Sequence, residues 1–154
     1  MIKIIVSEQM LYHHRKTGVV CAYPISTARN GVGNMEGSLR TPLGKHKICA
    51  KIGGGLPIYT YFESREPKGI FKQKIAHYKH DWILSRILWL SGVQTGVNKR
   101  GKVDTKKRYI YIHGTNEEDK IGLPVSHGCI RMLNADIEHL FEHVRCGEPV
   151  FIKA

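Results

Sequence analysis

The stretch "RYIYIHG" (108–114) alternates between aliphatic and other side chains at every step. A period of two places Ile110 and Ile112 on one face and Tyr109, Tyr111 and His113 on the other, which a helix cannot do. His113 therefore points away from the aliphatic face, at the end of a strand. Much of the chain follows the same rule in short pieces. "IKIIV" (2–6), "QMLYHH" (9–14), "GVVCAYPIS" (18–26), "KHKICAKI" (45–52), "IYTYFE" (58–63) and "PVFIK" (149–153) read as strands bounded by Gly, Pro and polar turns. "WILSRILWL" (82–90) fits a buried strand or a helix, and periodicity does not separate the two. Only "NADIEHLFEHVRCG" (134–147) has a clear helical period, with Ile137, Leu140, Phe141 and Val144 as the apolar stripe. Asn134 suits its N-cap and Gly147 its C′ position, so the predicted helix runs over about 134–146. The expected fold is mainly β: a sandwich or barrel of short strands with one C-terminal helix.

No repeat or linker divides the chain, and 154 residues suit a single domain, 1–154, with a real core. No run approaches the roughly 20 apolar residues that span a bilayer. The opening "MIKIIVSEQMLYHH" has too short an apolar run for a signal peptide, whose core is usually roughly 7–15 residues, and no small-residue cleavage site follows. The net charge of +11 favours acidic partners: nucleic acid, an anionic lipid surface or an acidic polymer. No nucleic-acid motif accompanies that charge. Two loops stand out. Residues 28–44 are long and Gly-rich, a kind of loop that is often functional. Residues 97–108 ("VNKRGKVDTKKR") are strongly basic.

The four cysteines are Cys21, Cys49, Cys129 and Cys146, and none forms a CxxC pair, which excludes a zinc ribbon or a thioredoxin motif. Cys21 and Cys49 lie in apolar runs and read as small buried side chains. Cys129 is different. It lies in "HGTNEEDKIGLPVSHGCIRM" (113–132), directly after Gly128, a poor context for core packing. A metal site would draw on His127, Cys129, His139 and His143, ligand types that zinc accepts, but their spacing matches no zinc motif. The remaining reading is nucleophilic catalysis. A cysteine nucleophile needs its thiolate, which a neighbouring imidazole supplies by taking the proton. His113 can do so if 114–125 folds back, and Gly114, Gly122 and Pro124 suit that return. Backbone N–H groups around Gly128 and Cys129 would hold an acyl oxyanion.

These residues resemble the signature of the L,D-transpeptidase catalytic domain, also called YkuD-type: a histidine, a gap of about a dozen residues, then Ser/Thr–His–Gly–Cys. Here His113 is followed at that distance by Ser126-His127-Gly128-Cys129. "YPISTARNG" (23–31), "TPLGKHKI" (41–48) and the closing "GEPVFIK" (147–153) also resemble family segments, so the likeness covers nearly the whole chain. Two features depart from it. Arg131 stands where the family often has Asn, and neither an export signal nor a wall-binding module is evident.

The resemblance implies a cysteine acyl-transferase acting on peptidoglycan stem peptides, without metal or organic cofactor. Cys129 would attack the diamino acid carbonyl, releasing D-Ala, and pass the acyl group to an amine. His113 would be the general base. Gly128, His127, Ser126 and Thr115 would shape the site, with Gly128 and the Cys129 backbone as oxyanion donors and Ser126 and Thr115 orienting His113. Arg131 would bind a substrate carboxylate or form a structural ion pair, and Tyr111 would line the cleft. The alternatives are an L,D-carboxypeptidase or amidase with the same pair, or a non-catalytic basic module that binds a wall polymer or nucleic acid. The family implies the cell envelope, while the lack of a signal pattern leaves the cytoplasm open. Nothing in the sequence fixes an oligomeric state.

Overall fold

The computed structural model describes residues 1–78 and 81–154, without the side chain of residue 78. Among the described residues ten strands form: β1 Ile2–Ile5, β2 Met10–His14, β3 Val20–Ser26, β4 Gly44–Ile52, β5 Thr60–Glu63, β6 Glu66–Ile70, β7 Ile83–Gly92, β8 Tyr111–Gly114, β9 Ile130–Met132 and β10 Pro149–Lys153. They join in the order β4-β10-β1-β2-β3-β9-β8-β7, and β7 pairs back onto β4. That last pairing closes an eight-stranded barrel. The β5–β6 hairpin hangs from β7 outside the ring. β1–β10 and β8–β9 are parallel, and the other pairs are antiparallel.

The ambiguous 82–90 run is a strand. It is buried on both faces, which explains a near-continuous apolar sequence with no alternation. Its Leu88 and Leu90 join Ile2, Ile4, Leu11, Ile25, Ile48, Ile112, Ile130 and Met132 in the main core. Its Ile87 faces a second cluster with Phe62 and Tyr111, against which Trp89 and Cys129 pack. The alternation expected in 108–114 thus holds: Ile110 and Ile112 enter the main core and Tyr111 the second cluster.

The helix, α1 (Asn134–His143), is shorter than expected at its C-terminal end. Val144 turns extended while its side chain stays buried, and the Lys51 ammonium from β4 takes the carbonyls of Phe141 and Val144, both at 2.7 Å. A cation on the last carbonyls opposes the negative end of the helix dipole and ends the helix before Gly147. Asn134 is the first helical residue rather than the cap. Its side chain accepts from the Ser85 hydroxyl at 2.6 Å and donates to Thr115 O at 2.7 Å, tying α1 to β7 and to the exit of β8. β8 starts at Tyr111 rather than Arg108, because Tyr109 sits at φ 55°, off the strand path. β6 and β9 lie outside the runs assigned from sequence. The first is wholly exposed and the second spans three residues, so neither carries a burial pattern to read.

Candidate active site

The parallel pairing of β8 with β9 builds the site. Ile112 stands beside Ile130, His113 beside Arg131 and Gly114 beside Met132. In a parallel ladder, side chains at paired positions point to the same face, so His113 and Arg131 share one face, opposite the aliphatic core. Cys129 lies in the bend just before β9 and packs beside Tyr111 against the second cluster. The loop 114–125 does fold back: Gly122 N–H bonds Ile25 O and Ser126 N–H bonds Thr27 O.

Cys129 is half-buried. Its Sγ accepts the Tyr111 N–H at 3.4 Å and lies 3.5 Å from Tyr109 O, to which the thiol donates. Burial pushes the thiol up to about 12. The Tyr111 N–H pulls it back, Asp81 pushes it further up, and Arg131 and Arg108 pull it down. The resting group is therefore a thiol, and its proton must leave as attack begins. His113 is fully buried rather than on an open surface. Its Nδ1 is 2.6 Å from Gly114 O. A carbonyl can only accept, so Nδ1 carries the hydrogen and Nε2 is the basic nitrogen. Gly114 is required there, since a Cβ would collide with Leu84 O and the Asn134 side chain.

The turn carrying the cysteine is held from several sides. Ser126 Oγ donates to Cys129 O at 2.6 Å and accepts the Gly128 N–H at 3.2 Å. Thr41 Oγ1 donates to Gly128 O at 3.0 Å, and Arg29 N–H bonds Ser126 O. Gly128 sits at φ 131°, where an L side chain is strained. The Gly128 N–H is thus engaged within the turn, which leaves the Cys129 N–H as the oxyanion donor to consider. Ser126 holds the turn through its bonds to Cys129 and Gly128. Thr115 Oγ1 accepts the Glu117 N–H, and the imidazole is oriented by Gly114 O.

Arg131 is buried, with its guanidinium on Asp81 Oδ1 at 2.9 Å and Glu117 Oε1 at 3.4 Å. Two protein carboxylates thus hold it in an ion pair, while the residue also lines a cleft. His127 is exposed, 3.7 Å from the other Asp81 oxygen. It borders two clefts. One, of about 300 Å³, is lined by Arg29, Glu117, Lys120, Val125 and Arg131. The other, of about 230 Å³, lies between the 36–39 segment and residues 107–110. Tyr111 is buried in the second cluster and lines neither cleft, its hydroxyl accepting from Arg65 Nη1 at 3.0 Å. His139 and His143 lie on the exposed face of α1, where Tyr23 holds His139, and among the described residues no group of three or more His, Cys, Asp or Glu is arranged to hold a metal ion.

Three contributors were not evident from sequence. Asp81 and Glu117 reach Arg131 from separate loops, and only folding brings them together. Arg108 was grouped with a solvated basic stretch, yet its guanidinium turns inward to bond Gly33 O at 3.2 Å and Arg40 O at 2.6 Å. Its charge reaches Cys129.

The closed β-barrel thus carries His113 on β8 and Cys129 just before β9, two strands that pair in parallel. The family model for the L,D-transpeptidase catalytic domain (YkuD) matches residues 1–152, and the chain belongs to that family. Among curated relatives, the probable L,D-transpeptidase ErfK/SrfK of Salmonella typhimurium is 56% identical over 45 residues, which cover 29% of this chain and 15% of that protein. Among solved structures, an L,D-transpeptidase from Mycobacterium smegmatis has a TM-score of 0.58 at 17% identity, covering 99% of this chain and 58% of that one. L,D-transpeptidase 3 from Mycobacterium tuberculosis, solved with a faropenem-derived adduct, gives 0.58 at 18% identity, covering 99% and 59%. At these identities the likeness is one of fold. The chain spans under two thirds of these relatives' length. No described helix is long and apolar enough to cross a membrane.

Proposed function

We propose that this domain transfers acyl groups between peptidoglycan stem peptides through a Cys129 thioester. The observation that supports the reading is that Cys129 lies in the bend entering β9, which pairs in parallel with the strand carrying His113, with the His113 tautomer set by Gly114 O. His113 Nε2 takes the thiol proton as Sγ attacks the diamino acid carbonyl of a tetrapeptide donor. The Cys129 N–H meets the developing oxyanion. Losing one such donor typically costs about 3–4 kcal/mol. The C–N bond then breaks, and the imidazolium returns its proton to the departing D-Ala amine. An amine of a second stem attacks the thioester, and Cys129 is released.

His127, two residues before Cys129, lines both clefts, which makes them the candidate approaches for donor and acceptor. The +11 charge suits stem peptides, which carry several carboxylates. The cell envelope, where the family usually works, is the proposed location.

The test is intact-mass measurement after incubation with a carbapenem, and separately with a tetrapeptide donor. The expected result is one adduct that maps to the peptide holding Cys129 and is lost in Cys129→Ser. A folded protein that stays unmodified by both would overturn the proposal.

A further inference from the structure

Two cysteines with no place in this mechanism stand across from one another at the end of the β4–β10 ladder. Lys47 pairs with Pro149. One step on, Ile48 N–H donates to Glu148 O at 3.0 Å, and Ile48 O accepts the Gly147 N–H at 2.7 Å. Gly147 and Glu148 together oppose the single residue Ile48, which is a bulge. The 48–49 peptide is thus hydrogen-bonded to the 146–147 peptide, so Cys49 and Cys146 flank that bond, Cys146 at a turn closed by the Glu148 N–H on Arg145 O. A disulfide there requires Cα atoms roughly 4.4–6.8 Å apart.

Two further observations agree. Cys49 is the residue skipped between Ile48 and Ala50 where β4 pairs with β7, so its backbone is not held on that side. The Cys49 thiol also lies within reach of Cys146. Burial raises the Cys49 thiol, Lys106 lowers it, and charge on Cys146 raises it again. Cys146 is exposed and Cys49 half-buried. Neither packs in the cluster that holds Cys129.

We propose that Cys49 and Cys146 are a redox pair that peroxide converts into a disulfide, pinning the segment after α1 to β4. The exposed Cys146 thiolate attacks a peroxide oxygen. The O–O bond breaks, hydroxide leaves and takes up a proton as water, and a sulfenic acid remains. The Cys49 thiolate then attacks that sulfur, forming the S–S bond and expelling the hydroxyl, which leaves as water. In total two thiols give up two electrons and two protons to one peroxide, and two waters form.

The experiment treats the full native chain with hydrogen peroxide, alkylates the remaining thiols after unfolding and maps peptides without reduction. The expected result is a linked pair of peptides holding Cys49 and Cys146, a protein lighter by two hydrogens before alkylation, and reversal by dithiothreitol. The thermal midpoint of the linked chain should rise, because a cross-link restricts the unfolded state. Cys146→Ser should abolish the link and leave Cys49 open to alkylation after unfolding. Cys49 that alkylates fully in the peroxide-treated wild-type chain while Cys146 is over-oxidised would overturn the pairing. So would a link to Cys129 or between two chains.

Discussion

At the scale of single residues, the site works through a proton that has somewhere specific to go. The Cys129 thiol is pushed up to about 12, so at neutral pH its thiolate is scarce until His113 acts. Alkylation by iodoacetamide, which needs no substrate-induced geometry, should climb steadily with pH over about 6–9 without a plateau. A plateau below about pH 8 would reveal a preformed thiolate instead. His113→Ala should slow donor acylation by roughly 10²–10⁴-fold, whereas His127→Ala should have a much smaller effect because that ring is exposed, beside Asp81. The reverse ranking, measured by stopped-flow acylation, would reassign the base. The sequence pointed to both Cys129 and His113 because each sits in a short run with a local rule: SHGC for one, strict alternation for the other. It could not reveal the Asp81–Arg131–Glu117 cluster, since carboxylates at 81 and 117 meet the guanidinium through space alone.

At the scale of elements, the 97–110 segment has two functions that its composition blends together. Arg108 is half-buried, bonding Gly33 O and Arg40 O and thereby holding the 28–44 loop beside the cysteine turn. Lys99, Lys102, Lys106 and Lys107 are exposed. Alanine at these four lysines together should weaken use of the amine acceptor while leaving donor acylation within about twofold, because solvated charges mainly steer encounter. Arg108→Ala should slow donor acylation itself by freeing the loop. Dimer and tripeptide products counted by mass spectrometry separate the two outcomes, and equal losses of both steps in the lysine variant would remove the acceptor role. The strands were legible wherever one face is buried and the other is not. They were illegible at β7, buried on both faces, and at β6, buried on neither.

At the scale of the whole molecule, the barrel exists only because β4 pairs on both sides, with β10 and with β7. His46 stands at that seam, opposite Val150 on one side and Gly92 on the other. It is buried, its Nδ1 3.0 Å from Gly44 O and its Nε2 3.0 Å from Thr105 Oγ1. The carbonyl fixes Nδ1 as the donor, so Nε2 must accept from the hydroxyl, which only a neutral ring can do. Burial holds the ring down at about 4, against an ordinary 6.5. Above pH 6.5 the ring is neutral whether the chain is folded or not, and the seam keeps its full contribution. As pH falls the unfolded chain takes up a proton that the folded one refuses, so stability declines until about pH 4. The loss over that window is about 3 kcal/mol. His13, also held low by burial, acts in the same direction. Urea unfolding at about pH 7 and about pH 4.5 should therefore show a marked acid loss in the wild-type chain. His46→Gln keeps a donor and an acceptor but cannot titrate. It should begin less stable at neutral pH and lose less on acidification. Equal acid losses in the two chains would mean that the seam does not open by protonation of His46.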